Sequence, residues 1–336
     1  MSFQWPTSFS RIPDADWVQR PVEALALNYD SVEAHGWYAN LDHTVHQLGE
    51  ALESGSILID YSGGTGILAQ RLLREFPDLD CGVLVVDSSP KFLRLALEKF
   101  RNEPRLAFRH IRYLREERRL ERVDEVVGSA VLERRVEALA STNAIHLYFD
   151  LPDTVRAWRQ VLKPNGKVFI QSGNIRHPEM GETDWLIDET VHVIHETARE
   201  IVLEDSGYEA YRELMTDADY VEAHDVLRRK YFLPVRPLDY YVEVLEQEGF
   251  RITNVERMTI PARVDQWYDF LSVYHEGVLG WVGGAEKVTG SPAPQRVVED
   301  RLSLMRSALQ RMFAGQSAFG ASWTYITCEP APPASG

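Results

Sequence analysis

The sequence predicts a doubly wound α/β protein: a mostly parallel seven-stranded sheet with helices on both faces, a helical N-terminal cap and two helical inserts. Three observations predict it. The short continuous apolar runs Ser56–Asp60 and Gly82–Asp87 have the look of strands buried on both faces of a parallel sheet. Helical periodicity follows each of them, so strand and helix alternate. A glycine-rich turn, Gly63-Gly64-Thr65-Gly66, lies between the first strand and the first core helix.

The 336 residues exceed the usual single domain of roughly 100–200 residues, which leaves room for a core plus a sizeable cap. An apolar fraction of 44% predicts a packed core rather than disorder. No apolar run reaches the ~20 residues that cross a bilayer, so no membrane partner is expected. Met1 to Arg20 contains no apolar stretch that would serve as a secretory signal. The two cysteines, Cys81 and Cys328, are too few for a disulfide framework and read as reduced core thiols. A cytoplasmic location is expected. The net charge of −15 opposes a nucleic-acid partner, since phosphate binding needs a basic footprint. The basic stretch Arg112–Arg122 is interrupted by Glu116, Glu117 and Glu121, and reads as a solvated helix face. The expected partner is a small-molecule substrate, and oligomeric state is open.

The elements follow in order. Residues 1–55 read as a helical cap rich in aromatic residues and histidine, including Tyr29, His35, Trp37 and Tyr38. Strand Ser56–Asp60 leads into a helix carrying Leu68, Leu72 and Phe76, which Pro77 and Asp78 end. Strand Gly82–Asp87 precedes the helix Lys91–Phe100. Leu106–Ile111 is the third strand, Leu120–Leu132 a helix, and Val136–Ser141 the fourth strand. Asp150 or Asp153 caps a helix with Val155, Trp158, Val161 and Leu162. Pro164 stops that helix, and Asn165-Gly166 turns into the strand Lys167–Gln171. A first insert, 174–236, carries Ile187, Val191, Ile194, Ala198 and Ile201 on one helix face. The core resumes over 237–262, with the helix Leu238–Glu248 and the strand Arg251–Ile260. A second insert, 263–317, ends in an amphipathic helix with Val298, Leu302, Met305, Leu309 and Met312. The last strand, Trp323–Glu329, falls in 318–330, and 331–336 reads as a loose tail.

The segment Asp60-Tyr61-Ser62-Gly63-Gly64-Thr65-Gly66 joins a strand to a helix. Glycines there allow a sharp turn and let a ligand approach the backbone. The helix N-terminus beyond offers free N–H groups. Asp87, at the next strand tip, can accept two ribose hydroxyls. Gly64-x-Gly66-x-x-Ala69 also satisfies the dinucleotide fingerprint, so a nicotinamide-dependent oxidoreductase is the rival reading. Asp60 favours a cofactor that carries an α-ammonium group.

With Asp87, the run Ser141-Thr-Asn-Ala-Ile-His-Leu-Tyr148 and the turn Leu162-Lys-Pro-Asn-Gly166, this segment resembles the class I S-adenosylmethionine-dependent methyltransferases. The resemblance covers about residues 56–172. It implies a Rossmann-like core over 56–173, the cofactor S-adenosyl-L-methionine, and methyl transfer to a small molecule. Carried across, Asp60 would position the methionine end, with Tyr61 beside it. Ser62, Gly63, Gly64 and Gly66 would let the backbone pass beneath the cofactor. Asp87 would hold the ribose, Ser88 would lie beside the adenine, and Asn143 near the sulfonium. Two departures stand out. Ser62 replaces the family's first glycine, and the acid that often follows the third strand is missing, with Arg112 near its place. The sequence leaves adenine recognition unassigned, with backbone groups around Arg112–Leu114 as candidates.

Methyl transfer needs alignment, exclusion of water and sometimes removal of one proton. His146, beyond Asn143 at the carboxyl edge of the sheet, is the candidate general base. Tyr148 and Tyr38 are substrate candidates. No metal ligand set is expected: His192 and His195 share a helical turn but form no HExxH pattern, and read as solvated. Aromatics of the cap and inserts, among them Trp185, Trp267, Tyr268, Tyr274 and Trp281, suggest an apolar or aromatic acceptor. A non-catalytic scaffold of the same fold is the third reading.

Overall fold

The computed structural model describes residues 3–35 and 37–332, and the side chains of residues 34–38 lie outside that description. The sequence candidate Tyr38, with its neighbours His35 and Trp37, falls in this gap. Seven strands make one sheet: β1 Ile57–Tyr61, β2 Gly82–Asp87, β3 Leu106–His110, β4 Val136–Thr142, β5 Leu162–Ser172, β6 Phe250–Arg263 and β7 Ala318–Pro330. Their spatial order is β6-β7-β5-β4-β1-β2-β3. All neighbours pair in parallel except β7, which runs antiparallel to both β5 and β6. The chain leaves β1 toward β2 and β3, then returns to β4 on the other side of β1. Ligands of open α/β sheets bind at this reversal, at the carboxyl ends of the strands.

Alternation along β1 feeds both faces. Ile57, Ile59 and Tyr61 join Trp158 and Tyr241 on one side. Leu58 joins Leu68, Leu72, Val83 and Val85 on the other. Replacing a fully buried leucine such as Leu72 by alanine costs roughly 2–5 kcal/mol. Among the described residues, ten helices of eight residues or more flank this core: α1 Ala24–Ser31, α2 Asp42–Ala51, α3 Ile67–Glu75, α4 Pro90–Phe100, α5 Leu151–Val161, α6 Ile187–Glu204, α7 Ala218–Tyr231, α8 Leu238–Gln247, α9 Val264–Val273 and α10 Gln295–Met312. Asp150 caps α5 by accepting the Asp153 N–H at 3.0 Å. The first insert leaves and returns at one place, where Ile175–Arg176 pairs with Arg236–Pro237. Helix α10 packs on α6, and with α9 they build a separate apolar cluster over the sheet's edge. Among the described residues, no helix is long and apolar enough to cross a membrane.

Several expectations need correction. The helix expected over Leu120–Leu132 is two short helices, Val123–Val126 and Ser129–Arg134, broken at Gly128, whose φ is 84°. The basic stretch after β3 is a hairpin, Tyr113–Leu114 against Arg119–Leu120, laced by Arg112–Glu121 and Arg119–Glu125 ion pairs. Strand β5 starts at Leu162, ahead of Pro164, because Leu162 already pairs with Val136. His195 is buried on α6, 3.6 Å from Asp225, rather than solvated, whereas His192 is exposed. On α10 the buried face is Arg301, Leu304, Met305, Ala308 and Leu309. Arg301 reaches the carbonyls of Val282 (2.8 Å) and Gly284 (2.5 Å), which is how a cation tolerates full burial there.

Candidate cofactor and acceptor site

Asp60 lies in β1 with no solvent exposure, and among the described residues neither of its carboxyl oxygens has a hydrogen-bond partner. Burial, with the Asp87 charge adding to it, pushes its pKa up to about 7. The loop beyond rests directly on this carboxyl: a Cβ at Gly63 would sit 2.6 Å from Asp60 Cγ. Ser62, Gly64 and Gly66 take left-handed φ values of 61°, 56° and 77°. No heavy atom lies within 4 Å of a Cβ built on Gly64, so the backbone there is open to a ligand. Asp87 ends β2 and clasps the same loop. Its Oδ2 accepts the Gly64 N–H at 2.9 Å and its Oδ1 the Ser89 N–H at 2.6 Å. Burial raises its pKa to about 6 against the pull of these N–H groups. The cap of α4 is Ser89, whose Oγ accepts the Phe92 N–H, and Ser88 is exposed.

At the end of β4, Asn143 adopts a left-handed φ of 55°, and its side-chain oxygen accepts from Asn40 Nδ2 at 3.1 Å. His146 follows in a 3₁₀ turn, Ile145–Leu147. Its tautomer is set by its neighbours. The Asp188 N–H donates to Asn174 Oδ1 at 2.7 Å, so the Asn174 amide turns its NH₂ to His146 Nε2, at 3.0 Å. The proton of His146 therefore sits on Nδ1 and is given to Ser172 Oγ at 3.1 Å. Both ring nitrogens are engaged, and burial lowers the pKa to about 4. Tyr148 is also tied down: its hydroxyl lies 2.7 Å from Ser141 Oγ and donates to Ser62 Oγ at 3.2 Å. Its ring meets Tyr61 and Trp158 edge-on.

These groups line one cavity of about 850 Å³ with two unlike ends. One end holds Ser62, Gly64, Asp87, Ser88 and Asn143. The other is walled by Tyr231, Phe232, Trp267, Phe270 and Tyr274, and Asp188 also lines the cavity; Tyr29 stands between, stacked on Phe92 of α4 and edge-on to Phe270. Sequence-predicted Tyr61, His146 and Tyr148 also line it. Asp60 lies beneath the loop and Gly66 begins α3, so neither forms the wall. The backbone of Arg112 is unavailable to a ligand, because its N–H goes to Glu121 Oε2 and its carbonyl to the Glu121 N–H, each at 2.8 Å. The hairpin instead brings Glu121 itself to the wall. Sequence reasoning missed Glu121, Asn174 and Asp188. Only Glu121 left a trace, as an acid breaking the basic stretch; Asp188 reads from sequence as an ordinary first-turn carboxylate.

Unpaired carboxyl oxygens at Asp60, an open backbone at Gly64 and a β2 carboxylate suit a cofactor bearing an ammonium group and ribose hydroxyls. The protein family described as "Methyltransferase domain" matches residues 59–168, from β1 to β5. Residues 59–168 carry a methyltransferase domain, a family that uses S-adenosylmethionine. Nothing in that match supports the nicotinamide reading of the glycine loop. Similar solved structures include the 4+2 cyclase SpnF (14% identity, 87% of this chain and 82% of that one, TM-score 0.46). Another is the Haemonchus contortus phosphoethanolamine N-methyltransferase 2 with phosphomonomethylethanolamine and S-adenosylhomocysteine (15%, 98% and 62%, TM-score 0.47). A third is a Geobacter sulfurreducens methyltransferase with S-adenosylhomocysteine (14%, 86% and 91%, TM-score 0.42). Likeness at this level bears on no residue role in this methyltransferase. No curated protein matches its sequence.

Proposed function

We propose that this methyltransferase acts on a small molecule with an apolar or aromatic body, seated at the aromatic end of the cavity. The observation that carries this reading is the continuity of that end with the glycine loop. In this reading Asp60, from beneath the loop, positions the methionine end directly or through water, and Asp87 keeps acceptor capacity for the ribose. Ser62, Gly63, Gly64 and the N-terminus of α3 beyond Gly66 form the floor, with Tyr61 at its edge. Ser88 lies beside the adenine, with the Arg112–Glu121 ion pair nearby, and Asn143 borders the sulfonium. When bound, S-adenosylmethionine supplies a methyl group already activated on sulfur. The protein's task is then alignment and exclusion of water. His146, neutral and bonded at both nitrogens, holds Asn174 and the start of α6 in place rather than taking the acceptor's proton. Tyr148 braces the loop through Ser62.

Calorimetry with S-adenosylmethionine, S-adenosylhomocysteine and NADPH tests the cofactor end, and mass spectrometry of an acceptor panel tests transfer. Tight binding of both adenosyl ligands, with one methyl added to an aromatic or apolar small molecule, is expected. Transfer only to protein or nucleic acid would overturn the small-molecule reading.

A further inference from the structure

We infer that the acceptor is an amine, bound as its ammonium ion between the carboxyl of Asp188 and the rings of Tyr231, Trp267, Phe270 and Tyr274. This rests on the methyltransferase reading and names the substrate class of the same site.

Asp188 opens α6 inside the apolar end of the cavity. Its Oδ2 is buried with no hydrogen-bond partner, and among the described residues no salt bridge engages it. Burial raises its pKa to about 7, while the Asn174 amide and the Leu233 N–H pull the other way. A buried carboxyl without a cation is costly, and a cationic ligand is what relieves it. The rings around it supply the second half of a cation site. Trp267 stacks on Phe270 with centroids 5.3 Å apart and planes 17° apart, and Phe270 meets Tyr274 at 5.4 Å. Thr190 Oγ1 accepts the Trp267 indole N–H at 2.8 Å, which ties α9 to α6 beside the cavity. Aromatic faces attract cations, most strongly when desolvated.

The opposite preference, for an anionic acceptor, would rest on Arg118, Arg119, Arg122 and Lys230, which also line the cavity. Arg118 and Lys230 are exposed, where water screens them, and Arg119 and Arg122 are already paired with Glu117, Glu125 and Asp124. The buried carboxyl outweighs them.

The chemistry balances. The ammonium gives one N–H proton to the Asp188 carboxylate, which frees the nitrogen lone pair. That pair forms the bond to the methyl carbon as the carbon–sulfur bond breaks, its electrons going to sulfur to leave the thioether. The product is an N-methylammonium ion, and the Asp188 proton passes to water on release.

The test is calorimetry on the S-adenosylhomocysteine-loaded protein, using a panel of aryl- and alkylamines with their isosteric alcohols and carboxylates, and 2-phenylethyltrimethylammonium as a cation that cannot be methylated. Amines and the quaternary probe should bind at least roughly tenfold more tightly than the alcohols, the scale of one charge-assisted contact. Asp188→Asn should lower amine affinity roughly ten- to a hundredfold and leave S-adenosylhomocysteine affinity and melting temperature in place. Equal or tighter binding of alcohols or carboxylates, no binding by any amine, or full amine affinity in Asp188→Asn would overturn the inference. Failure of S-adenosylhomocysteine to bind the unsubstituted protein would instead sink the methyltransferase reading beneath it.

Discussion

Asp87 Oδ2 accepts the backbone N–H of Gly64 at 2.9 Å, so one carboxylate ties the tip of β2 to the glycine loop that follows β1. The same carboxylate serves Ser89, yet each oxygen has a second lone pair for a ligand hydroxyl. Asp87→Ala removes the ligand's charged acceptor and strands two backbone donors. Cofactor affinity should fall roughly ten- to a hundredfold, since charge-assisted hydrogen bonds contribute ~1.5–3 kcal/mol. The melting temperature should fall with it. Calorimetry and thermal unfolding on one variant check both, and unchanged affinity in a folded Asp87→Ala protein would take Asp87 out of the site.

Ser62 holds φ at 61° while its Oγ accepts from Tyr148. A side chain in the left-handed region costs on the order of 1–2 kcal/mol, and the hydrogen bond returns ~1 kcal/mol. Ser62→Ala keeps the strain and loses the bond, so it should be the least stable of the series. Ser62→Gly loses the bond and the strain together, and should lie ~1–2 kcal/mol above Ser62→Ala in denaturant unfolding. The reverse order would mean that the loop relaxes out of this conformation.

The parallel strands were legible because burial on both faces leaves no polar interruption: Gly82–Asp87 matches its apolar run end to end. The β6–β7 ribbon ran longer than its sequence suggested, because β6 is an edge strand whose Asn254, Glu256 and Thr259 hide its periodicity. The hairpin after β3 was misread as helix because its turn uses Arg118, at φ 54°, instead of a glycine. The glycine loop and Asp87 announced themselves through local order. Asp188 could not: its importance comes from a chamber assembled by α6, α7 and α9, far apart in sequence. Arg301 was hidden for the same reason, since the carbonyls that accept it lie in the loop before α10.

His146 provides a kinetic distinction. A neutral imidazole with a pKa of about 4 and both nitrogens engaged changes charge at no pH between 6 and 8. His146→Ala should therefore lower turnover by loosening Asn174 and Asp188 while leaving the shape of the pH–rate profile intact over that range. A general base would behave differently: its loss typically costs ~10²–10⁴-fold and erases the acid limb. Recording the profile for wild type and variant separates the two, and disappearance of the limb would restore His146 as the base.

The last prediction concerns the two carboxyls under the cofactor. Asp60 at about 7 and Asp87 at about 6 both hold protons more tightly when folded than the ordinary aspartate does. The stability such groups contribute is fully present below the unfolded pKa of about 3.9 and is lost as pH rises through 6 to 7. Melting temperature alone reports this poorly. Desolvated His146 and His195, both pushed down to about 4, lose stability as pH falls below ~6.5, so the two trends oppose. Cofactor affinity isolates the carboxyls, because an ammonium group favours ionised Asp60. Affinity for S-adenosylmethionine should be flat near pH 8 and fall by roughly tenfold per pH unit below about 7, with one proton released per binding event. Calorimetry in buffers of different ionisation enthalpy counts that proton. Asp60→Asn should weaken binding at pH 8 and flatten the dependence between pH 6 and 8, leaving only the contribution of Asp87 near 6. A wild-type affinity independent of pH from 5.5 to 8 would mean that Asp60 is already ionised beneath the loop, and that burial there is relieved by a partner other than the cofactor.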